Sequence, residues 1–133
     1  MDIESIFKKL KLDDTKRLLI VNAPESYKSL LTGITHDQNY TQKDSGTYDF
    51  VQVFAIAQNE LERLTESVAD AGKYDCLFWL CYPKGGGSIK SDIKRDTVWS
   101  AFSLAGLRPV AQISIDNTWS ALRGRPGELV GKK

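Results

Sequence analysis

Histidine and cysteine are nearly missing from these 133 residues: His36 stands alone, and only Cys76 and Cys81 carry thiols. So few ligands assemble no cysteine–histidine metal set, and no metal site is expected. The two cysteines fall in one expected strand at odd separation, so they point to opposite faces and do not bridge each other. Both are expected to be core thiols. Long apolar runs are missing as well. No stretch nears the roughly 20 residues that span a bilayer, and "MDIESIFKKLKLDD" lacks the basic start and long apolar region of a signal peptide. A cytoplasmic location, without a membrane partner, is the expectation. Charge excess is absent too. The formal net charge is +1, which removes the bulk electrostatic case for nucleic acid and leaves only local basic patches. No G-x-S-x-G elbow surrounds Ser26, Ser88 or Ser120, so nothing supports a hydrolase.

What is present suits one globular domain spanning residues 1–133: 41% hydrophobic and 26% charged residues. A helix is expected over 2–11, with Ile3, Ile6, Phe7 and Leu10 on one stripe. "RLLIVNAP" reads as a buried strand closed by Asn22 and Pro24. Pro24 suits the first position of a helix carrying Tyr27, Leu30 and Leu31, with Gly33 as its stop. Residues 34–47 are polar and poorly periodic. They predict an exposed loop with at most one short strand near Ile34, and His36 as a surface residue within it.

The chain then repeats a pattern. "YDFVQVFAIA" and "YDCLFWLCYP" both open with Tyr-Asp, continue as apolar strands and precede a helix. Asn59, with Glu62 three residues on, is the expected cap of the first helix, whose core positions are Leu61, Leu64, Val68 and Ala71 and whose stop is Gly72. The second helix is expected from about Ser91, with Asp92 at its positive end and Ile93, Val98, Trp99, Phe102 and Ala105 facing the core. "PVAQISID" and "TWSALRGR" read as an antiparallel hairpin whose Asp116-Asn117 corner tolerates the left-handed conformation. The tail over 126–133 is expected to fray. Strands alternating with helices imply a three-layer α/β fold, mostly parallel, closed by an antiparallel C-terminal hairpin.

The Tyr-Asp strand, the strand ending "YPKGGG", the helix ending "AGLRPV" and the hairpin with "DNTWSALR" together resemble the second half of class I methyltransferase-like, Rossmann-like folds. They are also similar to a conserved bacterial domain family of unknown function, in which a tryptophan-to-Pro-Lys strand end and a W-S-x-x-R ending recur. The resemblance covers roughly residues 48–125. It implies S-adenosylmethionine (SAM) as a possible cofactor. The glycine-rich turn that follows the first strand in such methyltransferases is missing, because no glycine stands from Leu18 to Tyr27. Asp37 is the nearest candidate for the acid that holds the ribose.

Ligands of open α/β sheets bind beyond the carboxyl ends of the strands. That rule singles out Asn22 and Glu25 after the first strand, and Lys84, Gly85, Gly86, Gly87 and Ser88 after the third. The glycine loop's N–H groups, with Lys84 and Lys90, can form a cradle for a small anion; the plainer alternative is a flexible turn with solvated lysines. Arg123 joins the set because alternation places Trp119, Ala121, Arg123 and Arg125 on one face. Trp119 and Arg123 can stack, and paired arginines can take a phosphate or carboxylate. Asp96 has the position, though no further mark, of a general base. Three functions stay open: a non-catalytic domain binding a small anionic ligand or protein partner, a reduced SAM-dependent enzyme, and a homodimeric or other interaction module.

Overall fold

Three apolar runs become the centre of one sheet. The computed structural model describes residues 3–13, 15–84 and 89–129. Helix α1 (Ile3–Leu10) precedes β1 (Leu18–Val21), α2 (Glu25–Leu30), β2 (Tyr48–Phe54), α3 (Gln58–Ser67), β3 (Gly72–Pro83), α4 (Arg95–Leu104), β4 (Leu107–Ser114) and β5 (Trp119–Pro126). The sheet order is β1-β2-β3-β5-β4. β1, β2 and β3 run parallel, while β5 is antiparallel to both β3 and β4. The mostly parallel sheet with its closing hairpin is the expected architecture.

Two apolar clusters sandwich that sheet. Leu61 and Val68 from the α3 side and Val98, Ala101 and Phe102 of α4 pack on one face against Leu19, Val51, Val53, Phe78 and Leu80. Ile6 and Leu10 of α1, with Tyr27 and Leu31 from α2 and its C-cap, cover the other face over Ile20, Phe54, Trp79 and Trp119. β1 and β2 are buried on both faces because parallel strands are covered by helices on both sides. Cys76 packs on the first cluster and Cys81 on the second, so the thiols do point apart. Among the described residues no helix is long and apolar enough to cross a membrane.

Several local expectations are corrected. Pro24 is the N-cap residue of α2 rather than its first helical residue. Asn59 does not cap α3, which starts at Gln58 with Ala57 at the cap position. Its end is satisfied from elsewhere in the chain: the Gln58 N–H donates to Asp92 Oδ1 at 2.8 Å. Asp92 therefore serves α3, and α4 starts only at Arg95, where the Lys94 N–H donates to Thr97 Oγ1 at 2.8 Å. Trp99 is 56% exposed, and Ala101 takes the core position assigned to it. Gly33 follows α2 with positive φ as expected, and Gly106 does the same after α4. Gly72 instead opens β3, where a Cβ would lie 2.2 Å from Cys76 Sγ.

At the hairpin, neither Asp116 nor Asn117 is left-handed. Asp116 Oδ1 instead accepts the N–H groups of Thr118 and Trp119 at 2.8 and 2.7 Å, which holds a wider turn. The tail expected to fray from 126 continues β5 through Pro126 and forms a short 3-10 turn at Gly127–Leu129. Residues 130–133 and Asp2 lie outside the described residues. β4 is one edge strand of the sheet. It contains Pro109, and its register shifts between Pro109 and Ala111.

Candidate ligand-binding cleft

The polar stretch after α2 does contain sheet structure, reduced to a single parallel bridge between Asp37 and Leu19. The Ile20 N–H donates to the Asp37 carbonyl at 2.8 Å, and the Asp37 N–H to the Leu18 carbonyl at 2.9 Å. β1 thus has Asp37 on one side and β2 on the other. The chain leaves β1 toward one side and later returns on the opposite side, which makes β1 the point where strand order reverses. A crevice beyond the carboxyl ends opens at such a point. Here it is a cleft of about 380 Å³ bordered by Val21, Asn22, Lys28, His36, Gln38, Asn39, Glu60, Arg63 and Leu64.

Asn22 sets its floor. It is left-handed, with φ 63°, in the turn that lacks glycine. Asparagine tolerates that region because its short side chain bonds locally. Its Nδ2 donates to the Phe54 carbonyl at 2.8 Å and ties the end of β1 to the end of β2. The backbone conformation that glycine would supply is therefore present without glycine. On the bridge side, the Ile34 carbonyl lies 2.8 Å from His36 Nδ1. A carbonyl only accepts, so Nδ1 carries a proton. On the α3 side, Glu60 Oε1 accepts the Ile56 N–H at 3.0 Å. Lys28 and Arg63 outnumber this one carboxylate around the cleft. Glu60 and Arg63 also border a neighbouring hollow of about 510 Å³ with Ile56, Ala57 and Asn59.

The residues singled out for ligand binding do not share one place. Asn22 lies in the cleft. Glu25 points into solvent, its side chain 93% exposed, and pairs with Lys28 at 3.5 Å. Lys84 stands across the intervening β2, where its Nζ donates to Ser114 Oγ at 2.6 Å and its N–H to the Thr118 carbonyl at 2.8 Å. It is committed to the hairpin. Gly85, Gly86, Gly87 and Ser88 lie outside the described residues, and Lys90 is exposed beyond them. Arg123 is not at the carboxyl edge: it faces Trp79 across the β3–β5 ladder. Trp119 packs edge-on against Phe54 at 5.3 Å instead of stacking on Arg123.

Asp37 is also diverted. Its carboxylate accepts the Tyr48 hydroxyl and lies 3.6 Å from Arg17. Burial, followed by that hydrogen bond, pushes the Tyr48 phenol up to about 12. The next two residues, Gln38 and Asn39, reach the cleft in its place. His36, expected at the surface, is half-buried there. His36, Gln38, Asn39 and Arg63 are the positions that pattern reasoning missed. The signal for the first three was a run of polar residues around a one-bridge strand, too short to have a period.

No protein-family model and no curated protein matches the chain. Solved structures do match in fold. A SAM-dependent methyltransferase from Aquifex aeolicus superposes with a TM-score of 0.63 at 13% identity, over 92% of this chain and 88% of that one. The cyclase SpnF gives 0.60 at 10% identity, over 93% and 79%. Magnesium protoporphyrin IX methyltransferase from Synechocystis, with bound SAH, gives 0.59 at 9% identity, over 92% and 81%. The likeness therefore extends well beyond residues 48–125. Identities this low establish the fold alone, and the inclusion of a cyclase shows that the fold admits more than one chemistry. This chain has the Rossmann-like fold seen in class I methyltransferases.

Proposed function

We propose that the chain binds a SAM-type nucleoside in the switch-point cleft and acts as a reduced methyltransferase-like enzyme. The observation that carries this is the left-handed turn at Asn22, which opens a polar cleft at the strand-order reversal despite the missing glycines. The donor set fits the ligand's polar parts. Gln38 and Asn39 suit ribose hydroxyls, and Lys28 or Arg63 suits a carboxylate. The acid expected to hold the ribose is engaged by Tyr48 and Arg17, so amides would do that work. When bound, SAM supplies an activated methyl group; the protein's part is to bind and orient.

Calorimetric titration with SAM and SAH tests the reading. Wild type is expected to bind at least one of them, and Gln38→Ala and Arg63→Ala to weaken binding about tenfold each. At one hundred times the dissociation constant the ligand adds about 2.7 kcal/mol and raises the melting temperature by several degrees. Neither heat nor a melting shift with either compound at millimolar concentration would sink the proposal.

A second reading, an interaction module, is supported by Trp99 at 56% and Val110 at 39% exposure, which border one hollow of about 390 Å³ beside the edge strand. Sedimentation equilibrium tests it, since a monomeric mass at high concentration removes the homodimer.

A further inference from the structure

We propose that the sheet face carrying Arg108, Arg123 and Arg125 is a second ligand site, separate from the cleft, for a molecule bearing a phosphate or carboxylate group. The β4–β5 register sets Arg108 directly opposite Arg125. Arg123, two residues earlier on β5, shares their face. Like charges placed directly opposite each other in a sheet are destabilising unless something answers them. One carboxylate does so in part: Asp75 accepts Arg125 Nε at 2.9 Å and Nη2 at 2.7 Å, which holds that guanidinium in a fixed plane. The nearby Glu128 carboxylate is taken by the Tyr74 hydroxyl.

Arg123 is the decisive residue. Its side chain is half-buried between Trp79 of β3 and Ala111 of β4. Its Nε is buried and, among the described residues, has no hydrogen-bond partner. A buried guanidinium donor without an acceptor is costly; Nε is shut off from solvent, so an oxyanion meets this cation at its outer Nη groups and answers its charge there. Burial, and then the neighbouring Arg125, lower the Arg123 pKa from its ordinary value, consistent with a cation short of negative charge. A planar fork of N–H groups beside a second, pre-oriented one matches the geometry of bidentate oxyanion recognition. The site is independent of the cleft. Arg123 and Arg125 lie on β5, which is separated from β1 by β2 and β3.

The test is a 1H–15N NMR titration of the full chain with inorganic phosphate and, separately, with acetate, each against sodium chloride at equal ionic strength. Saturable shifts at the amides of Arg108, Arg123, Arg125 and Gly127, and at the Arg123 side-chain Nε–H, are expected with one anion or both. A response to phosphate alone assigns a phosphate ligand; a response to acetate assigns a carboxylate. Arg123→Leu should weaken binding about tenfold or more, and the exposed variant Arg108→Gln, which spares the core, should weaken it by a smaller factor. Shifts confined to residues around Asn22, Gln38 and Arg63, no saturable shift with either anion, or undiminished affinity in both variants would overturn the proposal. Gln38→Ala and Arg63→Ala report on the cleft, Arg123→Leu and Arg108→Gln on this face, so the two readings fail separately.

Discussion

Two strands of this sheet carry the same dipeptide near their start, and the fold treats the two copies differently. At the head of β2, Tyr48 is fully buried, its hydroxyl on Asp37 and its ring 4.5 Å under the Arg17 guanidinium. Asp49 accepts the Arg17 N–H at 3.0 Å and pairs with Lys73 at 2.9 Å. At the head of β3, Tyr74 is 68% exposed and Asp75 is left-handed, with φ 59°. The ladder explains the difference. Tyr48 pairs with Gly72 and Phe50 with Leu77, so β3 travels from Gly72 to Leu77 while β2 advances by only two residues. The extra residues bulge outward, carrying Tyr74 into solvent and Asp75 toward Arg125. Identical local sequence sets strand propensity; the neighbouring strand decides which side chains face inward.

The largest effect should come from the buried copy. Tyr48→Ala is expected to cost about 3–5 kcal/mol in urea unfolding, as for other buried aromatic side chains. Next is the alkaline limit of the bulge. Burial, and then the Asp75 charge, raise the Cys76 thiol from 9.0 to about 11. For an acid whose folded pKa is raised, the stabilising contribution is complete below pH 9.0 and is lost as pH rises toward 11. Two units correspond to about 3 kcal/mol. Unfolding measured across that window should show the loss, and Cys76→Ala should flatten it; an unchanged slope in that variant would assign the loss to other groups.

A smaller effect is expected for Asp75→Asn, which keeps a residue tolerant of positive φ while removing the charge. It should cost under about 1 kcal/mol, because the pair with Arg125 is only partly buried. The Arg125 hydrogen bonds hold the Asp75 carboxyl below its ordinary 3.8. Its contribution is therefore present above that value and fades as pH falls through the lower, folded one. The smallest effect belongs to Tyr74→Ala, within about 0.5 kcal/mol. A large loss in that variant would mean that the bulge is held by Tyr74 and Glu128 rather than by the ladder.

The strands and their order of appearance were legible because each is an apolar run or an alternating one. The hairpin followed from the lack of a helix between its two runs. Features made by contacts between distant segments were not legible. Asp92 looks like the start of α4, and only the packing of the following loop against α3 makes it that helix's cap. Trp99 has the spacing of a core residue, but its side of α4 faces the exposed edge strand, where Arg95 and Val110 are its neighbours. In the cleft, Asn22 was recoverable as the polar end of a strand. His36, Gln38 and Asn39 flank a strand of one bridge, which leaves no periodic trace, and Arg63 belongs to a helix read for its apolar side and its cap. Lys84 follows β3 as expected, but its partner was not legible: a lysine at a strand end can reach any neighbour, and Ser114 is fixed only once the hairpin folds back.

The end of the sheet has a consequence for how copies of this chain can meet. An open edge strand is ordinarily a template on which another molecule's backbone can polymerise. β4 combines a proline with a break in register at that edge, two features that deny an incoming strand a continuous row of partners. Growth of the sheet into filaments should stop at this border even in crowded or partly denaturing solution, so that association along this edge has to proceed through side chains.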